Sequence, residues 1–515
     1  MELRKLLLSA LALTAVALLI AGCGGGGGSD SGAESSAPPK HGGTLHFAQI
    51  GEALTLNQFT SLGVAEITTA GQITEPLFKT NKNEEVEPWL ATSFEKSKDE
   101  RDWTFHLRKG VKFSNGKPMT AADVVFTLET AKKSPYWGST VEPVSKVRAT
   151  SPSTVVVEAD EPTPAMPAIL SLFATGIVPK NFGGMSEKEF GQKPIGTGPF
   201  MVGKWNHGES LTLEANPNYW QKGRPYLDKV VFETVAEDTT RVTRLKGGEL
   251  DVVAEPPWSQ LTSIEDTPGL SVFQAEDGFT DYIIVNADKP LFKDPRAREA
   301  INLAVNRDDI VKAALGGYGK PAGSLAPLSL LYTDPNIKPP AQDVEKAKQL
   351  LKEAVEATGE KPNFTMVLTP GDTYARAASQ IIQQNLREIG FEVKLEPSEA
   401  QIEALSSKDY DLGLLKIYST IPDPIEFWAF YLATDAVFSG APLDKIETLS
   451  TEAAHEIDPE KRKNLYYEIQ KIDNDENFLV VLDDKPWAFG LSDKVSGFFV
   501  NALGMPSLEE VGFSE

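Results

Sequence analysis

The chain has 515 residues, with 73 acidic against 50 basic side chains and a formal charge of −23. That length exceeds one small core and fits roughly three units of about 150 residues. So acidic a surface excludes nucleic acid or another polyanion as a bulk partner, and a single cysteine, Cys23, excludes an internal disulfide.

Arg4 and Lys5 precede an apolar run from Leu6 to Ile20, and Ala21-Gly22 lead into Cys23. A basic end, a short apolar core and small residues before the cut describe a signal peptide over residues 1–22. The run is shorter than the roughly 20 residues that a spanning helix needs. Leu19-Ile20-Ala21-Gly22-Cys23 resembles a bacterial lipobox, which implies diacylglycerol on Cys23 and cleavage before it. The alternatives are an ordinary signal peptide with a stray cysteine, or an uncleaved anchor. After Cys23, Gly24 to Lys40 (GGGGGSDSGAESSAPPK) reads as a flexible linker reaching roughly 20–25 Å.

Gly43 to Ile50 reads as the first strand. From Asp102 the sequence is DWTFHLRKGVKFSNGKPMTAADVVFTLE. Trp103, Phe105 and Leu107 alternate with Thr104, His106 and Arg108, the period of a strand with one buried face. Val111 and Phe113 repeat the pattern as a second strand. Asn115-Gly116 supplies the turn. Thr120 stands at a helix N-cap with Asp123 three residues on, close to a capping box. Ala121, Val124, Val125 and Leu128 follow at helical spacing. Val155 to Val157 form a short strand.

The Asp102–Glu129 run resembles the signature of the extracytoplasmic solute-binding proteins of ABC importers, family 5, the dipeptide- and oligopeptide-binding type. TEPLFK and EPWLA before it are similar to the same family. So is a second block, IGTGPF, then NPNYW, a strand over Lys229–Val235, and TTRVTRLKGGELDVV. A third is DPRAREAINLAVNRDDIV. The resemblance implies an α/β fold of the periplasmic-binding-protein-like (venus flytrap) kind, with two lobes and an inserted subdomain. Its order would be lobe I over 41–275, with the insertion at about 65–190, lobe II over 276–483, and a return to lobe I over 484–515. A phosphate-cradling reading of Gly196-Thr197-Gly198 lacks the lysine and capped helix of a P-loop. Arg241 and Arg244 read more simply as a solvated helix face than as an anion site.

Further along, Asp281 to Asn286 is an expected strand, and the family resemblance has the chain cross to the second lobe just before it. Asp294-Pro295 opens a helix, and Asn306 caps another with Asp309 at its third position. Phe364–Leu368, a helix over Thr373–Ile389 ended by Gly390, and Phe391 to Leu395 form strand–helix–strand, with Asp411–Ile417 as the next strand. This order implies a parallel sheet with right-handed crossovers. Helices at about 443–455 and 459–473 follow; Phe478–Leu482 then carries the chain back, and Trp487–Leu491 with VSGFFVNALG finishes in the first lobe.

A flytrap receptor binds between its lobes, so ligand contacts are expected in loops at the inner strand ends. The most telling loop is Ile417 to Trp428, IYSTIPDPIEFW. In peptide-binding relatives an aspartate three residues before Asp-Pro holds the ligand's ammonium group. The matching position here is Thr420, which can hydrogen-bond but carries no charge. Asp423 could serve instead, or could be a turn residue before Pro424. Arg376 falls where some relatives place an arginine for the ligand carboxylate, or is a surface arginine. Trp258, Tyr418, Trp428 and Trp487 are aromatic candidates, with Trp258 and Tyr418 in loops.

The five histidines (His41, His46, His106, His207 and His455) form no ligand spacing, so no metal and no cofactor are expected. No nucleophile elbow is present. With 73 acidic residues a carboxylate pair can always be drawn, so a glycosidase reading is unspecific. The expectation is a non-enzymatic, monomeric substrate-binding lipoprotein of an ABC importer. It would sit outside the cytoplasm on a lipid at Cys23 and take a peptide or similar polar solute for its permease subunits. The same scaffold with a non-peptide solute such as an oligosaccharide, or as a signalling receptor, is the alternative; a surface hydrolase is the third.

Overall fold

The computed structural model describes residues 39–514, except 62, 429–438, 442 and 502–503; of Glu276 and Asp277 only the backbone is described. The signal peptide, Cys23 and nearly all of the linker lie outside the described residues. Among the described residues no helix is long and apolar enough to cross a membrane.

The alternation at Trp103, Phe105 and Leu107 builds the strand Asp102–Leu107, with those three side chains buried. It lies in a four-stranded sheet of order Ala91–Lys96, Asp102–Leu107, Thr154–Glu158, Lys146–Ser151. The helix Ala121–Ala131 starts where Asp123 accepts the Thr120 backbone N–H at 2.7 Å and its hydroxyl at 2.8 Å. The expected second strand at Val111–Phe113 does not form. Lys112 and Pro118 share one isolated bridge, and Pro118 has no N–H with which to extend it into a ladder. Val111 and Phe113 are nevertheless buried.

An eleven-stranded sheet runs through the rest of the described chain. Its first parallel group sets Thr44–Gln49 between Lys229–Thr234 and Val252–Ala254. Its second sets Asn363–Leu368 between Glu392–Pro397 and Leu412–Ile417, all parallel as strand–helix–strand order requires. The helix Thr373–Ile389 buries Ala378, Ile382, Leu386 and Ile389 and ends at Gly390, whose φ is 109°. Two long antiparallel strands, Leu270–Val285 and Leu479–Ser492, join the groups. Phe47, Phe232 and Phe489 belong to one apolar core; Ile283, Met366 and Val480 belong to another.

One expectation is corrected here. Arg241 is not on a solvated face: it is 0% exposed, on the helix Asp238–Lys246. Its guanidinium donates to the carbonyls of Val235 (2.7 Å), Ala236 (3.1 Å) and Glu255 (3.2 Å), and to Asp238 at 2.6 Å. These partners take up both terminal nitrogens of the guanidinium, which lowers the cost of its burial. Arg244 stays partly exposed and pairs with Glu233 and Glu249.

Candidate functional site

The two long strands change partners where the two cores meet. Leu270–Ala275 pair with Ser492–Trp487, and Phe279–Ile284 with Lys485–Leu479. The register shifts between Ala275 and Phe279, and again between Asp281 and Tyr282. Bulges of this kind bend a strand and re-aim its side chains. The returning segment is one strand, Leu479–Ser492, and its polar middle, Asp483-Asp484-Lys485, is buried.

Those polar residues form an ionic cluster. Lys485 Nζ lies 2.6 Å from Asp281 and 3.8 Å from the centre of the Tyr374 ring. The Tyr374 hydroxyl donates to Asp483 at 2.6 Å, and the Thr280 hydroxyl to Asp484 at 2.6 Å. Burial pushes Asp281 and Asp483 up, Asp483 further because Asp281 is close. Burial pulls Lys485 down, but the two carboxylates outweigh it and hold it charged. Arg307, lowered to about 10 by burial, stays a cation beside Asp483.

On the neighbouring face three aromatic rings converge. Phe279 and Trp487 have centres 4.1 Å apart, Phe279 and Tyr418 5.5 Å, and Tyr418 and Trp487 6.0 Å. Gly278 is required for this contact, since a Cβ there would stand 2.5 Å from the Trp487 ring. Lys416 Nζ lies 4.8 Å from the centre of Phe279.

Tyr418 opens the loop expected to meet a ligand. The Ser419 hydroxyl donates to Ile421 O at 2.6 Å, which closes the first turn. Thr420 donates its backbone N–H to Glu426 at 3.3 Å. Asp423 turns inward. It accepts the Ile425 N–H at 2.9 Å, and both its oxygens take the Arg462 guanidinium at 2.8 Å. Trp428 is 0% exposed, in the core with Phe427 and Tyr466. Trp258 is half-buried and packs against two separate cores. Arg376 is exposed on the helix that carries Tyr374. Tyr418 and Thr420 thus share one loop surface with Glu426, Asp423 and Trp428 support that loop from within, and Arg376 stands in solvent.

Three features were missed in the sequence. Glu426 lies six residues after Thr420 in the same loop, and that proximity was a usable signal. Glu255 has φ 46°, uncommon for a residue with a Cβ, and nothing in its neighbours Ala254 and Pro256 announces it. Contacts between distant segments were also invisible. The Tyr318 hydroxyl donates to Glu265 at 2.7 Å, and His455 Nδ1–H donates to Pro162 O at 2.9 Å. Apart from this surface, a cavity of about 70 Å³ is lined by Gln72, Glu75, Lys79, Trp89 and Glu509 among others. Glu75 there accepts from Trp89, Tyr219 and Trp220. Among the described residues no group of three or more His, Cys, Asp or Glu is placed to hold a metal ion.

Comparison with known proteins follows this geometry. A family model described as bacterial extracellular solute-binding proteins, family 5 middle, matches residues 85–439. The glutathione-binding protein GsiB of Escherichia coli (strain K12) is 27% identical over 487 residues, covering 89% of this chain and 91% of its own. The ABC transporter-associated periplasmic binding protein DppA from Helicobacter pylori, in complex with the peptide STSA, is 26% identical. It superimposes with a TM-score of 0.79 over 92% of this chain and 99% of its own. AgaA from A. tumefaciens R10, in complex with agropinic acid, is 25% identical with a TM-score of 0.79, covering 92% and 99%.

Proposed function

Because the chain belongs to the bacterial extracellular solute-binding proteins of family 5, the extracytoplasmic substrate-binding components of ABC importers, we propose that it captures a peptide or similarly sized polar solute between two lobes and delivers it to a membrane permease. Lobe I is taken as 41–275 with the insertion at about 65–190, lobe II as 276–483, and 484–515 as the return. The observation that carries this reading is the pair of register shifts between Ala275 and Tyr282, across which the two long strands pass from one apolar core, with Ala275, Phe279 and Trp487, to the next, with Ile283, Val480 and Leu482. A bend at so few residues is what a hinge needs. Closure would exclude water and strengthen each polar contact with the guest, and differential binding to the closed form would drive it.

Tyr418, Thr420 and Trp258 are the proposed contact residues. Arg376 is the proposed partner of a ligand carboxylate, since its guanidinium is exposed. Asp423 and Trp428 are proposed to shape the loop rather than to touch the guest, because Arg462 takes both Asp423 oxygens. GsiB and DppA, with glutathione and peptide in their names, support the peptide class. Thr420 in the place of an aspartate favours a non-peptide solute as the second reading, and the agropinic acid complex of AgaA supports it. Calorimetric titration with a di- to pentapeptide library, followed by small-angle scattering, tests the proposal. Binding with a smaller radius of gyration is expected; peptide binding with unchanged scattering would sink the two-lobe reading.

The anchor is proposed from residues 1–23. C23A should release the protein from washed membranes, while the wild type stays with them and carries a lipid mass by mass spectrometry.

A further inference from the structure

A hydrogen bond joins the proposed insertion to the proposed second lobe. His455 Nδ1–H donates to the Pro162 carbonyl at 2.9 Å, across 293 residues of sequence. Pro162 lies within 65–190 and His455 within 276–483. The acceptor is a carbonyl, so the ring nitrogen that faces it carries the hydrogen.

The Pro162 carbonyl is held from both sides. The Ala159 N–H donates to Arg101 O at 2.8 Å, and the Thr163 N–H to Glu100 O at 3.1 Å. The Arg101 guanidinium donates to Glu161 at 2.7 Å, and the proline ring fixes φ at its own position. Ala159 and Ala165, on either side, are buried in the core that holds Trp103 and Phe105.

His455 is held as firmly. It ends the helix Asp444–His455, which buries Ile446 and Ala453 in the core of Phe427, Trp428 and Tyr466. Arg462 donates to the Ala453 carbonyl at 3.0 Å and grips both oxygens of Asp423. The helix end that carries His455 is therefore keyed to the loop that carries Tyr418 and Thr420. That loop crosses between cores as well. Ile417 and Phe427 pack with Trp428, whereas Ile421 between them is buried in the same core as Ala159 and Ala165.

The bond thus ties together two anchored ends that pack in different cores. Neither end belongs to Leu270–Val285 or Leu479–Ser492, the strands that carry the register shifts. A contact between lobes away from their hinge forms on closure and breaks on opening.

We infer that His455 and Pro162 form a latch that holds the two lobes closed over the guest. The bond is made in the closed form alone, so it adds to the stability of that form. Closure follows capture, so the latch governs escape more than entry. His455 is a positioning residue: it acts on the guest through the lobes and never touches it. The inference rests on the two-lobe reading and goes beyond it by naming what keeps the lobes shut.

The test uses the whole chain, with the di- to pentapeptide library and a panel of oligosaccharides as probes. For each probe that binds, surface plasmon resonance gives the rates and small-angle scattering gives the radius of gyration. H455F keeps a ring and loses the donor; H455N keeps an amide N–H near the place of Nδ1. H455F should raise the dissociation rate about three- to tenfold, as loss of one hydrogen bond allows. Its association rate should stay within about twofold of the wild type, and H455N should restore slow release. Unliganded melting temperatures should match the wild type. A role confined to packing the second lobe would lower the melting temperature of H455F and leave its dissociation rate unchanged, which would overturn the latch. Wild-type dissociation rates in H455F, with the wild type contracting on binding, would overturn the latch and leave the two-lobe reading intact. Binding without contraction in the wild type would sink both, and so would silence across every probe.

Discussion

Asp423 and Arg462 decide whether the Ile417–Trp428 loop is built by the protein or by its guest. The perturbation is D423A. Asp423 is 4% exposed and Arg462 is equally buried, and the guanidinium spans both carboxylate oxygens at 2.8 Å. Arg462 also donates to Ala453 O at 3.0 Å and lies beside the stacked rings of Tyr332 and Tyr466, 5.6 and 5.4 Å from their centres. It therefore cannot swing to water without unpacking that core. Removing the carboxylate strands a buried cation, which costs about 3–5 kcal/mol. Replacing both partners by apolar residues, D423L with R462M, removes the charge with its counter-charge and should fall within about 2 kcal/mol of the wild type. Urea unfolding followed by circular dichroism measures all three proteins. The reasoning fails if D423A unfolds within about 1 kcal/mol of the wild type while ligand affinity alone collapses, for then the carboxylate serves the guest.

The other predictions concern separate regions. Glu75 is pushed up to about 7 by burial against its usual 4.5, so the folded state favours its protonated form. That contribution is complete below pH 4.5 and disappears as pH rises through 7, about 3 kcal/mol in all; stability measured from pH 5 to 8 should therefore fall more steeply in the wild type than in E75Q. G278A drives a Cβ to within 2.8 Å of the Trp487 backbone nitrogen as well as its ring, and should lower the unfolding free energy by about 1–3 kcal/mol; unchanged urea midpoints would count against the aromatic contact. Y318F loses the exposed hydroxyl bond to Glu265 and should lower the unfolding free energy by no more than about 1 kcal/mol, read from urea unfolding.

Much of the chain was legible because its elements report local physics. The helix Thr373–Ile389 has its bounds written in a 3.6-residue apolar repeat, the Asp372 cap before it and a glycine after it. The helices at Ala121, Pro295 and Arg307 start at caps that short-range hydrogen bonds define. The strand Asp102–Leu107 follows its alternation residue by residue. Family motifs lie on these same elements, so membership in the family was readable too.

The sequence alone therefore determined the scaffold: which segments coil, which extend, and which motifs name the family. Only the tertiary structure decided what its charges do. Asp483-Asp484-Lys485 looks like a break between two strands, yet Asp281 and Tyr374, more than 100 residues away, make it the buried middle of one. Arg241 looks like a surface arginine until the fold turns the carbonyls of Val235, Ala236 and Glu255 onto its guanidinium. Asp423 finds Arg462 while Glu426 finds no cation among the described residues, and nothing in their neighbours along the chain separates the two cases. A hydrophobic period is a property of consecutive residues, whereas the cost of burying a charge depends on which partner the fold brings to it.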